Sequence, residues 1–233
     1  MSSNRTNTNR LSCDTRISVL ATLARKAGRA GMIGVLAAAA LMGFACVARA
    51  APGIPYTYVA AMYGDPDSAA PYWRRQHDSN CAEMAVADVV GELTGREPTE
   101  QEINAAAENT PSPYIPGGRA WQPGGYSEIR DIPALLAHYG IDARAIGQTN
   151  IDRLKGALAQ GHKVIASVNS QILWGRGNGD RPDHFVVVTG IDTDANVVHL
   201  NDSGRDTGSD EQVPLATFER SWGTSGNQAV VTD

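Results

Sequence analysis

The chain lacks several patterns that mark large classes of protein. No period of about 20 to 50 residues repeats along it, which argues against a solenoid or a propeller. No histidine and cysteine spacing typical of a zinc site occurs, and no glycine-rich loop leads into a lysine as in phosphate-binding loops. We therefore expect no cofactor and no bound metal. Since 42% of the 233 residues are hydrophobic, the chain can build one packed domain.

The first fifty residues differ from the rest of the chain. Residues 1–31 contain six basic residues and one acidic residue, Asp14, and an apolar run extends from residue 32 to residue 47. The run ends in Ala48-Arg49-Ala50, a small-x-small pattern of the kind that signal peptidases cleave. Because a membrane span needs roughly 20 apolar residues, we expect a cleaved signal peptide here, with a retained membrane anchor as the alternative.

Removal of that segment would change both the charge and the cysteine content. It contains seven of the 20 basic residues and one of the 25 acidic residues, so 13 and 24 remain and the net charge becomes −11. Such an acidic domain is poorly suited to bind nucleic acid or an anionic membrane surface, and we expect neither partner.

Of the three cysteines, Cys13 and Cys46 would be removed and Cys81 would remain alone in an oxidising compartment. Cys81 is then a reactive thiol, half of an intermolecular disulfide, or an inert buried residue.

The rest of the chain divides into a lead-in segment and one domain. Residues 51–71 are rich in alanine, proline, glycine and tyrosine and predict an extended lead-in that is partly ordered against the domain, and residues 72–233 form the predicted domain. Helices are predicted at residues 81–93, 99–109, 131–139, 150–160 and 214–222. Strands are predicted at residues 142–146, 163–168, 184–189, 197–200 and 229–232. Helices followed by an antiparallel sheet indicate an α+β domain.

Cys81 lies at the predicted start of the first helix. Asp78, Ser79 and Asn80 precede it, and each of these residue types caps helices well. The amide dipoles at a helix N-terminus favour the thiolate form of a cysteine, which is the form that acts as a nucleophile. A structural cysteine would more often lie inside the apolar stripe of the helix, and Cys81 precedes that stripe.

A thiol nucleophile needs a base, and His184 is the best placed of the five histidines, which are His77, His138, His162, His184 and His199. His184 opens a strongly apolar strand, which would hold its ring rigidly at a sheet edge. The next predicted strand leads into Asn201 and Asp202. If the two strands pair antiparallel, Asp202 would lie beside His184 and could accept the proton of its Nδ1 atom. Taken alone, His184 also fits an ordinary histidine, and the Asp202 region also fits a simple turn.

Three stretches of the sequence together resemble a known family. They are Gln76 with Asn80-Cys81-Ala82, residues 183–192, and residues 198–204, which end in Asn-Asp-Ser-Gly. Over roughly residues 72–231 they are similar to bacterial papain-like cysteine peptidases related to the double-glycine leader (bacteriocin-processing) peptidases. The resemblance implies a papain-like fold, in which an N-terminal helical part with the nucleophile helix packs on a C-terminal antiparallel sheet. It further implies that Cys81 is the nucleophile, His184 the base, Asp202 the orienting acid and Gln76 the oxyanion donor.

We therefore expect a secreted or cell-envelope cysteine hydrolase that cleaves peptide or isopeptide bonds, with a peptide or protein as its substrate. One alternative is a catalytically inactive secreted binding domain whose contact surface is the loop around Trp121. The other is a cell-wall peptide amidase on the same scaffold. A pattern like that of a calcium loop, Asp192-x-Asp194-x-Asn196, lacks the glycine and the glutamate that such a loop needs, and it predicts a hairpin turn instead.

Overall fold

The computed structural model describes residues 61–233. Seven strands form one antiparallel sheet: β1 Met62–Gly64, β2 Ala143–Ile146, β3 Val164–Val168, β4 His184–Asp192, β5 Val197–Asn201, β6 Glu211–Pro214 and β7 Ala229–Thr232. The α-helices of this part of the chain are α1 Pro66–Ala69, α2 Cys81–Thr94, α3 Glu100–Asn109, α4 Ile132–His138, α5 Ile151–Ala159, α6 Ser170–Leu173 and α7 Leu215–Gly223. The predicted α+β class is confirmed, with α2 to α4 preceding every strand of the sheet except β1.

The sheet is organised around β4, its longest strand. The strand order is β2-β7-β3-β4-β5-β6, and β1 pairs with the end of β4 that β3 leaves uncovered, at Gly190 to Asp192. β4 and β5 form the predicted hairpin, with Val187 opposite Asn201 and Asp192 opposite Val197. The pairing slips between Val188 and Gly190, which is a β-bulge. Such a bulge increases the local twist of a strand.

Helices cover both faces of the sheet. On one face α2, α3 and α4 pack against Ile165, Phe185, Val187 and Val230 in one apolar cluster. On the other face α5 and α7 pack against the alternate residues of the same strands, such as Val164, Val186 and Val231. The central strands β3, β4 and β7 are therefore covered on both faces, which explains why their sequences are nearly continuous apolar runs.

Helix α2 is buried on all sides along most of its length. Its residues from Ala82 to Gly91 are all buried, including the acidic residues Glu83 and Asp88. Small side chains allow this close packing: a Cβ on Gly91 would lie 2.5 Å from the ring of Tyr72. Gly95 ends the helix in the left-handed conformation with φ 75°, as its sequence position predicts. A helix packed this way is fixed on every side, so its first residue is fixed too.

Part of the predicted lead-in at residues 51–71 packs against the domain. Strand β1 and helix α1 lie within it, β1 pairs with β4, and Pro66 and Ala69 are buried. The predicted signal peptide at residues 1–50 lies outside the described residues. Within residues 61–233 no helix is long and apolar enough to cross a membrane.

Candidate active site

Cys81 is the first residue of α2, as predicted, and the N-terminus of this helix is left open. Asn80 is the N-cap residue, but its side chain makes no capping hydrogen bond. It instead donates from Nδ2 to Glu100 Oε1 at 2.8 Å and to Asn104 Oδ1 at 3.0 Å, which ties α3 to the start of α2. Among residues 61–233 the Cys81 N–H has no hydrogen-bond acceptor. Cys81 itself is half-buried, so a ligand can reach both its thiol and its N–H.

His184 and Asp202 are in direct contact, although not through the ring nitrogen that the sequence analysis expected. The distance from His184 Nε2 to Asp202 Oδ1 is 2.6 Å, whereas we predicted a contact at Nδ1. The reason is the end of β5: Asn201 lies opposite Val187, so Asp202, one residue beyond the strand, lies level with Val186, two residues away from His184. Nδ1 is then the ring nitrogen that remains available to Cys81.

Asp202 is completely buried and accepts three hydrogen bonds through its carboxylate. Oδ1 accepts from His184 Nε2 and, at 2.7 Å, from the Gly204 N–H, while Oδ2 accepts from Trp174 Nε1 at 2.7 Å. Trp174 also packs edge-on against the ring of His184, with ring centroids 5.3 Å apart. A buried carboxylate costs little only when it is fully paired, and here the pairing also fixes the orientation of the imidazole.

The electrostatics favour a charged His184. Burial alone lowers the pKa of His184, but hydrogen bonds to Asp202 and Cys81, together with their negative charges, raise it from 6.5 to about 10. For Asp202 burial acts in the opposite direction and raises the pKa, yet the hydrogen bond and the charge of His184 outweigh burial and lower it. The arrangement thus stabilises an imidazolium between Asp202 and Cys81.

Gln76 lies beside the site and is held by two hydrogen bonds of its side chain. Its Nε2 donates to the carbonyl oxygen of Asp78 at 2.8 Å, and its Oε1 accepts from the hydroxyl of Ser203 at 2.8 Å. The backbone is fixed as well, because the Gln76 N–H donates to the Ser203 carbonyl at 3.0 Å. The structure therefore brings all four predicted site residues to one place.

Two cavities meet at Cys81 and His184. One, of about 340 Å³, has a polar lining that includes Gln76, Asp78 and Ser170. The other, of about 600 Å³, is more apolar, with Ile129 and Phe185 in its wall. Ser79, Cys81, Tyr126, Asp183 and His184 line both cavities. Together they form a groove that passes Cys81 on both sides.

Trp121 is not a surface residue, so it cannot itself be part of the contact surface predicted for the loop around it. Its side chain is 2% exposed, and its Nε1 donates to the Ser79 carbonyl at 3.0 Å. Trp121 thus anchors the segment that leads into Cys81. The exposed aromatic residue of this loop that reaches the groove is Tyr126, whose side chain is 86% exposed.

The other histidines have different surroundings. His77 is exposed and contacts Glu100 through Nδ1 at 2.7 Å, and His199 is buried and contacts Asp210 through Nδ1 at 2.6 Å.

The Asp192-x-Asp194-x-Asn196 pattern at the end of β4 is a hairpin turn, as predicted, because the Asp192 carboxylate accepts the N–H groups of Asp194 and Ala195. Within the described part of the chain no cluster of three or more acidic, histidine or cysteine side chains is arranged to hold a metal.

Several residues that support the site have no clear signal in the sequence. Trp174 directly follows the short helix α6, and no sequence pattern marks it. Ser203 and Gly204 were noted only as part of Asn-Asp-Ser-Gly, yet Ser203 contacts Gln76 and Gly204 contacts Asp202. The position of both residues directly after Asp202 was the available signal.

Comparisons with known proteins agree with this architecture. Residues 69–230 match the model of the Peptidase_C39-like family. The chain is 42% identical over 220 residues to proteins of Mycobacterium bovis and Mycobacterium tuberculosis, both described only as uncharacterised, and the match covers 84% of this chain and 92% of theirs. The structure is similar to the crystal structure of a protein from Bacillus anthracis assigned as a C39-like peptidase. That similarity has a TM-score of 0.53 at 19% identity, covers 71% of this chain and 95% of the other, and concerns the fold.

Proposed function

Since the chain belongs to the Peptidase_C39-like family, we propose that it is a cysteine peptidase in which Cys81, His184 and Asp202 form the catalytic triad. The observation that carries the proposal is the buried His184–Asp202 pair, whose histidine lines the same two cavities as Cys81 at the open N-terminus of α2. The same three positions are the ones that the sequence resemblance assigns.

The geometry supports a nucleophilic mechanism. The Cys81 thiolate attacks the carbonyl carbon of the scissile bond, and the negative charge moves to the carbonyl oxygen. As that intermediate collapses, the His184 imidazolium gives its proton to the leaving amine, and a thioester on Cys81 remains. A water molecule then attacks the thioester with His184 as the base, which releases the acid product and restores the thiolate. Asp202 keeps the imidazole oriented and stabilises its charge in both steps.

The oxyanion has two donors within the groove. One is the Cys81 N–H, which has no other acceptor in the described residues. The other is Gln76 Nε2, which has two N–H groups and gives only one of them to Asp78. Removal of one such donor typically costs about 3 kcal/mol in the transition state.

The groove favours an extended peptide over a small molecule. It continues on both sides of Cys81 through cavities of about 340 and 600 Å³, so a chain can pass the nucleophile without a sharp bend. The polar half and the more apolar half would bind residues on opposite sides of the scissile bond.

Digestion of a mixed peptide library tests the proposal directly. The purified protein is incubated with the library, and new peptide termini are identified by mass spectrometry. We expect recurring termini that disappear with Cys81→Ala and with His184→Ala. The proposal is wrong if the termini persist in both variants, or if the unmodified protein produces none in peptides and none in cell-wall muropeptides.

The muropeptides in that assay also address the cell-wall amidase alternative. An amidase on this scaffold would use the same thiol chemistry and would differ only in its substrate. Cleavage confined to muropeptides would favour the amidase. An inactive binding domain would produce no new termini in either substrate, and its contact surface could not include Trp121, which is buried.

We further propose that the protein acts outside the cytoplasm after residues 1–50 are removed. The support is the order of basic region, apolar run and Ala48-Arg49-Ala50 in the sequence. Expression of the full chain in a bacterial host should release a protein whose first residue is Ala51, as read by N-terminal sequencing. A full-length protein retained in the membrane fraction would contradict this proposal.

A further inference from the structure

We infer that Ser203 is a positioning residue for the oxyanion donor, because it orients the Gln76 side-chain amide. This inference rests on the proposed function, in which Gln76 stabilises the oxyanion. It adds a role for the residue that directly follows Asp202, so that one turn supports both the base and the oxyanion donor.

The contact between Ser203 and Gln76 is well defined. The Ser203 hydroxyl donates to Gln76 Oε1 at 2.8 Å, and the Ser203 side chain is nearly buried, with 7% of the residue exposed. The Ser203 carbonyl is occupied as well, since it accepts the Gln76 N–H at 3.0 Å and Arg75 Nη1 at 2.7 Å. Ser203 is therefore fixed by its backbone before its hydroxyl acts on Gln76.

The orientation of the Gln76 amide matters because only its nitrogen can donate. Nε2 faces the carbonyl oxygen of Asp78 at 2.8 Å, and a carbonyl can only accept, so the nitrogen must lie on that side. Gln76 is half-buried and lines the cavity that contains Cys81. Without the Ser203 hydroxyl the amide would keep one bond and could turn about it. The free N–H would then spend less time directed at the oxyanion position.

The turn that carries Ser203 is itself tightly constrained. Trp73 Nε1 donates to the Asp202 carbonyl at 2.7 Å, and the Asp202 N–H donates to the Gly208 carbonyl at 2.8 Å. The Trp73–Gln76 segment and the turn after β5 thus hold each other through several hydrogen bonds. Loss of the single Ser203 hydroxyl leaves these other bonds in place, so the fold should tolerate its removal.

Two reagents separate the role of the oxyanion donor from that of the nucleophile. Acylation of Cys81 by p-nitrophenyl acetate passes through a tetrahedral oxyanion, forms the thioacetate and releases p-nitrophenolate, which is measured as a burst. Alkylation by iodoacetamide displaces iodide from a saturated carbon and forms no oxyanion. The ratio of the acylation rate to the alkylation rate therefore reports on the oxyanion donor alone.

The experiment compares this ratio among variants of the full domain. Gln76→Ala and Gln76→Glu should lower the ratio by roughly a hundredfold, because neither variant offers an N–H donor. Ser203→Ala should lower it about tenfold, since Gln76 remains but is no longer oriented. Ser203→Thr keeps the hydroxyl and should recover most of the loss. Ser209→Ala, which removes an exposed hydroxyl of the same turn that contacts the Ala70 carbonyl, is the matched control and should leave the ratio unchanged.

The outcomes distinguish failure of this inference from failure of the proposed function. If Gln76→Ala lowers the ratio and Ser203→Ala does not, the role of Ser203 is refuted and the peptidase proposal stands. If Ser203→Ala slows acylation and alkylation equally, Ser203 acts on the nucleophile or on the fold, which also refutes the inference. If Cys81 is not acylated in the unmodified protein, the proposed function itself fails. Melting temperatures of the variants show whether each one is folded.

Discussion

At the scale of single residues, Asp202 is the group whose surroundings are most specific. Its carboxylate accepts three N–H donors, and a carboxylate pairs with all three better than a neutral group would. In Asp202→Asn one amide oxygen can still serve His184 and Gly204, but the amide NH₂ then faces the Trp174 N–H. Two donors that face each other in a buried site are unfavourable.

We predict that Asp202→Asn slows acylation of Cys81 by roughly tenfold to a hundredfold, the range expected for losing a hydrogen bond to a charged group. Asp202→Ala should slow it further. Adding Trp174→Phe to Asp202→Asn removes the opposing donor and should recover part of the rate. The p-nitrophenyl acetate burst measures all three variants, and the assignment is wrong if Asp202→Ala reacts at the rate of the unmodified protein.

Gly204 lies against both members of the His184–Asp202 pair. A Cβ on Gly204 would be 2.9 Å from His184 Cε1, 3.0 Å from Asp202 Oδ1 and 2.8 Å from Trp174 Cζ2. These distances are shorter than van der Waals contact, so the imidazole or the indole must move.

We therefore predict that Gly204→Ala slows iodoacetamide alkylation of Cys81 at pH 6 by roughly tenfold, with little loss of melting temperature. Displacement of the ring weakens the contact between His184 and Cys81, which is worth roughly 1–2 kcal/mol. Gly156→Ala is the control: it lies in α5 with open space around it, and should stabilise the helix by about 0.5–1 kcal/mol without changing the alkylation rate. Equal alkylation rates in the two variants would argue against this packing role.

At the scale of elements, the site requires that α2 and the end of β5 keep a fixed separation. Asn201, the residue before Asp202, provides a direct link: its Nδ2 donates to Asp88 Oδ2 on α2 at 2.9 Å and to the Ala69 carbonyl at 3.0 Å. Its Oδ1 accepts the Asp210 N–H at 3.1 Å, so the amide is fully satisfied. Asp88 lies two helical turns beyond Cys81 on the same helix.

Removal of the Asp88 carboxylate, the acceptor on α2, should destabilise the fold. Asp88→Ala leaves a buried N–H of Asn201 without its partner, and we expect a loss of about 1–3 kcal/mol in the free energy of unfolding, measured by urea denaturation. Asp88→Asn keeps an acceptor for Asn201 and mimics the protonated acid. Burial first, and then the charge of Glu92, raise the Asp88 pKa well above its usual range. The Asn variant should therefore be at least as stable as the unmodified protein at pH 8, and a loss equal to that of Asp88→Ala would contradict this role.

At the scale of the whole molecule, several buried carboxyl groups bind protons more tightly when folded. Burial is the largest cause in each case and raises the pKa of Glu83, Glu97 and Glu211 from 4.5 to about 7. The folded state thus holds protons that the unfolded state has released, so the stability contributed by these groups is lost as the pH rises from about 4.5 to about 7. Asp202 and Glu100 have lowered pKa values, so their effect on stability has the opposite pH dependence. The stability that they contribute is lost as the pH falls below about 4.

We predict that the domain is more stable at pH 5 than at pH 8. Glu83 is almost fully buried, and one of its carboxyl oxygens has no hydrogen-bond partner. Its contribution to the pH dependence of the unfolding free energy is therefore on the order of 3 kcal/mol. Glu83→Gln should remove that share of the pH dependence while Ser127 keeps an acceptor. Glu219→Gln, at an exposed position, is the control and should leave the pH dependence unchanged. Unfolding free energies that rise from pH 5 to pH 8 would contradict this account.

The sequence predicted the parts of this molecule that depend on local pattern. The start of α2 at Cys81, the capping box at Thr99 and the β4–β5 hairpin all follow from residue types at fixed spacing. The contact between His184 and Asp202 followed from the hairpin, but the ring nitrogen that makes it did not. Which ring nitrogen makes the contact depends on where β5 ends and on the bulge after Val188, and no residue pattern in the sequence predicts either feature.

Features that depend on packing from every side were missed. The apolar stripe of α2 gives no sign that its acidic residues Glu83 and Asp88 are buried, yet both are. Trp174 reaches Asp202 from the position directly after a helix of four residues, and β1 joins the sheet from a segment rich in proline and glycine. Each of these placements is decided by residues more than twenty positions away in sequence.

The central claim is that Cys81 is the nucleophile and that His184 activates it, and the reaction of Cys81 with iodoacetamide at pH 6 tests this most directly. Free cysteine is only roughly 0.3% thiolate at that pH, and the thiolate is the reactive form. We predict that Cys81 reacts about tenfold or more faster than free cysteine at pH 6, and that His184→Ala removes the advantage. The account is contradicted if Cys81 reacts no faster than free cysteine and its rate is the same in His184→Ala.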